Sequence, residues 1–334
     1  MIRFFRSSFL IQYLALLLLA AVLWLPAFLR AVRALPPSDN EPLYQLLYMS
    51  VAGTPLLSTI LAFILMMIGG FLFNAMLSLH TLIPRNSTYG LLFWVIVAGS
   101  FPAAMSFQPL WPSMLVLLFA LNLAFSMYEQ LSNSLKLFNL GVLVSIAGML
   151  HGGAWVFFLW IFAVLFIIRL NQLREWLIPV VGIFLPVVYL LVFWFLKNVM
   201  LTKSGLFLLA FIEGFSLPQM PEPMQMVILL LLFVLFVNAL NFNYGFQADR
   251  NIAVRKRKAM INAFLIVSMF ALFFHQGAIQ ANAFFIIPFS AHLAIWAGGL
   301  SRTSRPSIIM WLYVLLVAAN NVLYFFSHAQ TAIR

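Results

Sequence analysis

The chain has 334 residues, 65% of them hydrophobic and only 7% charged, with a formal net charge of +11 and no cysteine. Its apolar residues fall into about eleven runs of membrane-spanning length, since a hydrocarbon core of about 30 Å takes a helix of about 20 residues and backbone polar groups there must be bonded within the segment. No loop exceeds about 30 residues and no G-x-x-x-x-G-K-[ST] phosphate loop is present, which excludes a soluble catalytic domain and a nucleotide-driven motor; the missing cysteines exclude disulfides, thiolate metal sites and Cys nucleophiles.

The first run, Phe9 to Leu29, follows Met1-Ile2-Arg3-Phe4-Phe5-Arg6. It is longer than the apolar region of a secretory signal and lacks a good small-residue cleavage pattern, so it reads as an uncleaved first span. Further spans are expected at 55–79, 90–107, 113–130, 137–150, 154–168, 176–196, 224–240, 260–275, 281–299 and 308–327. The spans 137–150 and 154–168 are short and separated only by His151-Gly152-Gly153, consistent with a tight turn or a pair of half-helices. The expected fold is all-α: one polytopic transmembrane helix bundle over 1–334 with about eleven spans (10–12).

The basic residues orient this bundle. With a cytoplasmic N-terminus, the inner segments carry thirteen: Arg3, Arg6, Arg85, Lys136, Arg169, Arg174, Arg250, Arg255, Lys256, Arg257, Lys258, Arg302 and Arg305. The outer segments carry five: Arg30, Arg33, Lys197, Lys203 and Arg334. The bias predicts the N-terminus inside and the C-terminus outside, and it points to membrane lipids rather than nucleic acid as the partner of the positive charge. Residues 30–54 then form a first outer loop and 241–259 a basic cytoplasmic loop. Residues 197–223 form an outer loop whose apolar stretch 205–215 is too short to cross and fits a re-entrant or interfacial helix.

Chemistry-bearing groups are few. None of the seven acidic residues lies firmly in the middle of a span, so the mid-membrane carboxylate usual in proton-coupled carriers is missing. Asp39 and Glu41 stand in the first outer loop near Arg30 and Arg33. A carboxylate there could serve as a general base towards a hydroxyl, and the arginines could clamp phosphate; a solvated loop of balanced charges is the plainer alternative. The topology places His151, His275 and His328 near the outer face, but without the spacing of a helical ligand pair, so no metal site is assigned. His292, within a span, and Asn320 beside Asn321 are candidates for an intramembrane polar site, or for interhelical hydrogen bonding alone.

The strings Pro84-Arg85-Asn86-Ser87, Phe101-Pro102, Lys136-Leu137-Phe138-Asn139-Leu140-Gly141, Arg174-Glu175-Trp176 and Pro186 resemble, over roughly the first 200 residues, a family of polytopic membrane proteins found mainly in Bacteroidota for which no activity is assigned. The arrangement is also similar to the integral-membrane glycosyltransferases of the GT-C fold, which take sugar from a polyprenyl-phosphate carrier on the outer face. That likeness implies a bacterial inner (cytoplasmic) membrane protein of envelope biogenesis with no cofactor and a lipid-linked glycan as partner. Asp39 or Glu41 would take the catalytic acidic position, and Arg30, Arg33, Lys197 or His151 would hold the carrier phosphate. The first outer loop is shorter here than in those enzymes, and no soluble outer domain follows it. The alternatives are a transporter or flippase for an amphipathic envelope precursor, with Asn74, Asn122, His292 and Asn320 lining a polar path, and a non-catalytic assembly subunit.

Overall fold

Hydropathy of this kind leaves the chain only helices, and only helices are found among the described residues, which in this computed structural model are 1–128, 133–170, 172–213, 221–244, 251–273, 282–300 and 304–328. In chain order they are α1 (Leu10–Leu29), α2 (Pro42–Met49), α3 (Pro55–Leu79), α4 (Tyr89–Gly99), α5 (Leu110–Met127), α6 (Ser134–Leu150), α7 (Phe157–Ile168), α8 (Leu173–Leu196), α9 (Met200–Glu213), α10 (Pro223–Tyr244), α11 (Ile252–Ala271), α12 (Ile286–Gly299) and α13 (Ser304–His328). Helices α1, α3, α5, α8, α10 and α13 are long and apolar enough to cross a membrane, while α4, α6, α7, α9 and α12 are shorter apolar helices. The protein is an all-α helical membrane bundle.

Hydrogen bonds define its two ends. At the N-terminal end, the Ile2 amide donates to Ser307 Oγ (3.2 Å) and the Thr88 amide to the Phe5 carbonyl (3.1 Å). At the first-loop end, the Leu35 amide donates to the Phe107 carbonyl (3.0 Å), and Tyr44 Oη donates to the carbonyls of Leu35 (2.8 Å) and Phe107 (3.2 Å).

Helix α4 is the axis of the bundle: every one of its residues is buried. It covers only the first part of the expected span 90–107, because Pro102 and Pro109 lack amide donors and disfavour a helical residue before them. The chain from 100 to 109 is irregular apart from a 3-10 turn at Pro102–Ala104. Irregular backbone at that depth is tolerated only where protein groups bond it, and here they do. Asn321 Nδ2 donates to the carbonyls of Gly99 (3.0 Å) and Leu23 (3.1 Å), and Gln225 Nε2 donates to the Ser100 carbonyl (2.7 Å). Asn320 Nδ2 in turn donates to Gln225 Oε1 (2.8 Å), and the Ser100 and Tyr313 hydroxyls lie 2.8 Å apart.

Helix α8 is the opposite case, with 11% of its most apolar window buried. It is held chiefly against α6, where two glycines bring the backbones together. A Cβ on Gly141 would stand 2.1 Å from the Pro179 carbonyl oxygen, and one on Gly182 would stand 2.3 Å from that of Phe138. Small residues at such a crossing are what association in lipid requires, because contact there comes from backbone approach and not from the hydrophobic effect.

One segment differs from its expected form. The basic run Arg255–Lys258 is not in a loop: α11 begins at Ile252, with Asn251 Oδ1 capping the Ala253 amide (2.9 Å). Arg257 and Lys258 are buried, and Arg257 Nη1 donates to the His80 carbonyl (3.0 Å). Hydropathy reads four successive cations as solvent-facing, whereas the fold encloses Arg257 and Lys258 and leaves Arg255 exposed. Segment 197–223, expected to hold a re-entrant or interfacial helix, contains α9, which at about 21 Å is too short to cross. Its Leu201, Leu208, Leu209 and Ile212 are exposed along one face, while Phe207 on the other side meets Trp155 (6.3 Å) and Trp194 (6.2 Å). That is the form of an interfacial helix.

Candidate functional site

Two chain reversals at the first-loop end build the site. In the first, Ser38 to Glu41 form a turn closed by the Glu41 amide on the Ser38 carbonyl (3.1 Å), and Pro42 starts α2 with its fixed φ. The Ser38 amide donates back to Glu41 Oε2 (3.2 Å) and Ser38 Oγ to Asn40 Oδ1 (2.7 Å). In the second, α6 ends at Leu150, and His151 adopts extended backbone (φ −147°, ψ 118°) before the 3-10 turn Gly152–Val156.

These reversals meet. His151 Nδ1 lies 2.9 Å from Glu41 Oε1, and the Gly152 amide donates to the same oxygen (3.3 Å). Glu41 is 1% exposed and His151 0%. Gly152 permits the approach, since a Cβ there would stand 2.5 Å from Asn40 Nδ2. The imidazole packs on Phe284 (5.2 Å between ring centres), which packs edge-on against Phe157 (5.3 Å). Next to it, a Cβ on Gly153 would stand 2.6 Å from Asn282 Oδ1, a buried acceptor with no hydrogen-bond partner among the described residues.

The donors around Glu41 assign the protonation. Two backbone amides and one ring nitrogen all aim at its oxygens, the arrangement that favours an ionised carboxylate. A carboxylate at Oε1 accepts from a protonated Nδ1, with Nε2 on the side of the ring away from Glu41. The tautomer is assigned here from the hydrogen-bond network. Tyr44, one turn along α2, carries a phenol whose pKa is raised, first by burial and then by the charge of Glu41.

Asp39 points elsewhere. Its carboxylate is half exposed and lies 3.7 Å from Lys203 Nζ, tying the first loop to α9. Among the phosphate candidates, Arg30 sits over the Phe326 ring (4.1 Å to its centre); Arg33 and Lys197 are exposed, and no described contact links any of the three to the Glu41–His151 pair. His275 and the side chain of His328 lie outside the described residues. Among the described residues no three His, Asp or Glu side chains come together as a metal site.

The intramembrane candidates separate into local pairs. His292 Nε2 lies 2.9 Å from Asn262 Oδ1, Asn320 bonds Gln225, Asn74 Nδ2 bonds the Ser87 carbonyl (3.2 Å), and Asn122 Oδ1 lies 2.9 Å from His80 Nε2. Sequence reasoning did not single out Ser38, Gly152, Asn282, Phe284 or Lys203 for this end of the molecule. The tripeptide His151-Gly152-Gly153 carried the available signal, because two glycines after a histidine mark a close backbone approach as well as a turn. No family model, curated protein or solved structure matches this chain.

Proposed function

We propose that the protein is a membrane-embedded glycosyltransferase of bacterial envelope biogenesis. It would take a sugar from a polyprenyl-phosphate carrier at the outer face of the cytoplasmic membrane, with the N-terminus inside. The observation that carries the reading is the buried Glu41–His151 pair, whose two halves come from the first loop and the α6–α7 connection. A carboxylate that holds Nδ1–H orients an imidazole so that Nε2 can accept a proton.

In the proposed step, an acceptor hydroxyl gives its proton to His151 Nε2 as its oxygen bonds to the anomeric carbon. The bond from that carbon to the carrier phosphate breaks, and the polyprenyl phosphate leaves with the bonding pair. Glu41 is ionised throughout and stabilises the imidazolium that forms. Lys203, Lys197, Arg30 and Arg33 supply positive charge at the same end of the bundle for the departing phosphate.

The test is a mass-spectrometric profile of lipid-linked and surface glycans in a deletion strain complemented with wild type, Glu41→Gln, His151→Phe or Asp39→Asn. Loss of one sugar in the deletion, Glu41→Gln and His151→Phe strains, with restoration by Asp39→Asn, is the expected pattern. An unchanged profile in the deletion strain would remove the transferase reading.

A further inference from the structure

At the N-terminal end, an open cleft of about 660 Å³ lies between α1 and α3. Tyr13 and Phe71, whose rings lie 5.9 Å apart, form its aromatic wall. Ser8, Asn74, Ser78 and Arg85 surround it with polar groups. A second groove of about 310 Å³ runs on the other side of α3, against Leu118 and Phe119 of α5. The two grooves share Ala75 and Leu79 of α3 as their common ridge, and Leu79 stands 69% exposed upon it.

The loop that follows α3 is pinned so that Arg85 stays at the cleft. Ser78 Oγ donates to the Arg85 carbonyl (2.9 Å), Asn74 Nδ2 to the Ser87 carbonyl (3.2 Å) and Ser87 Oγ to the Pro84 carbonyl (2.7 Å). Arg85 is exposed, and among the described residues no carboxylate lies within ion-pair distance of it. The neighbouring segments 1–9 and 80–88 add Arg3 and Arg6 and contain no acidic residue.

We infer that this is a binding site for an anionic phospholipid. The headgroup phosphate is held by Arg85 with the hydroxyl of Ser8, and the two acyl chains lie in the grooves on either side of the Ala75–Leu79 ridge. Basic pockets between membrane helices recognise anionic headgroups by such charge pairing, and a guanidinium fits phosphate through paired N–H donors. An apolar furrow alone accepts any lipid; the fixed arginine at its mouth makes the site selective. The inference is independent of the Glu41–His151 reading.

The experiment places the purified full chain in nanodiscs of equal parts phosphatidylglycerol and phosphatidylcholine, then counts retained lipids by native mass spectrometry after brief detergent exposure. Wild type is expected to retain one phosphatidylglycerol in preference to phosphatidylcholine. Arg85→Gln should lower that preference about fivefold, the effect of one basic residue near an anionic surface. Ala75→Trp fills the ridge from an exposed position and should abolish retention of either lipid. Equal retention of the two lipids by wild type, or an unchanged preference in Arg85→Gln, would overturn the assignment.

Discussion

Glu41 Oε1 and His151 Nδ1 lie 2.9 Å apart although 110 residues separate them in the chain. Both side chains are shut away from solvent. Asp39, two residues from Glu41, instead meets Lys203 at the surface. Two carboxylates equivalent in the linear chain are therefore given different environments by the fold.

That difference separates their variants. Glu41→Gln removes the carboxylate that holds His151, and His151→Phe removes the proposed base. Each should reduce sugar transfer by about 10²- to 10⁴-fold, the span of general-base contributions. Asp39→Asn breaks only an exposed ion pair of the kind worth about 0–1 kcal/mol and should leave transfer within about twofold. Single-turnover transfer from a lipid-linked donor in proteoliposomes measures all three.

The crossing of α6 and α8 predicts a stability effect at its glycines. Gly141→Leu and Gly182→Leu would each drive a side chain into a carbonyl of the facing helix, which no rotamer change relieves. The cost is expected at the upper end of the about 1–3 kcal/mol seen for overpacking. A lowered thermal unfolding midpoint of the detergent-solubilised protein is the readout, while Gly205→Leu, with open space around its Cβ position, should leave it unchanged.

Asn321 donates to the Gly99 carbonyl, freed where α4 ends, and to the Leu23 carbonyl within α1. Asn321→Leu leaves the Gly99 oxygen short of its partner, at about 1–3 kcal/mol for an unsatisfied buried group. Asn238, exposed and bonded only within its own helix, is the control: Asn238→Leu should change the unfolding midpoint little.

Tyr44 predicts an alkaline limit. Burial and the Glu41 charge raise its pKa above the ordinary value of 10.0, so the folded state holds the proton more tightly than the unfolded chain. The stability linked to this group is fully present below pH 10 and is lost as pH rises above it. Tyr44→Phe should flatten that alkaline decline, while costing about 1 kcal/mol at neutral pH for the hydrogen bonds to Leu35 and Phe107. Unfolding midpoints recorded from pH 7 to 11 test both parts.

The sequence by itself determined the solvent and therefore the class. Runs such as 55–79 and 9–29 could only be helices, and their bounds differ from the observed Pro55–Leu79 and Leu10–Leu29 by at most one residue, because apolar length and internal hydrogen bonding are local properties. Where a helix ends inside the bundle was not legible: 90–107 reads as one apolar run, yet the helix stops at Gly99. The residues that let it stop, Gln225 and Asn321, lie more than a hundred positions away. The basic run at 255–258 was misplaced for a related reason, since charge alone does not reveal that a helix surface waits to cover two of the four side chains. Only the tertiary structure chose Glu41 over Asp39, joined it to His151 and set Arg85 at a cleft. Each of these depends on contacts between distant segments, which neither periodicity nor composition encodes.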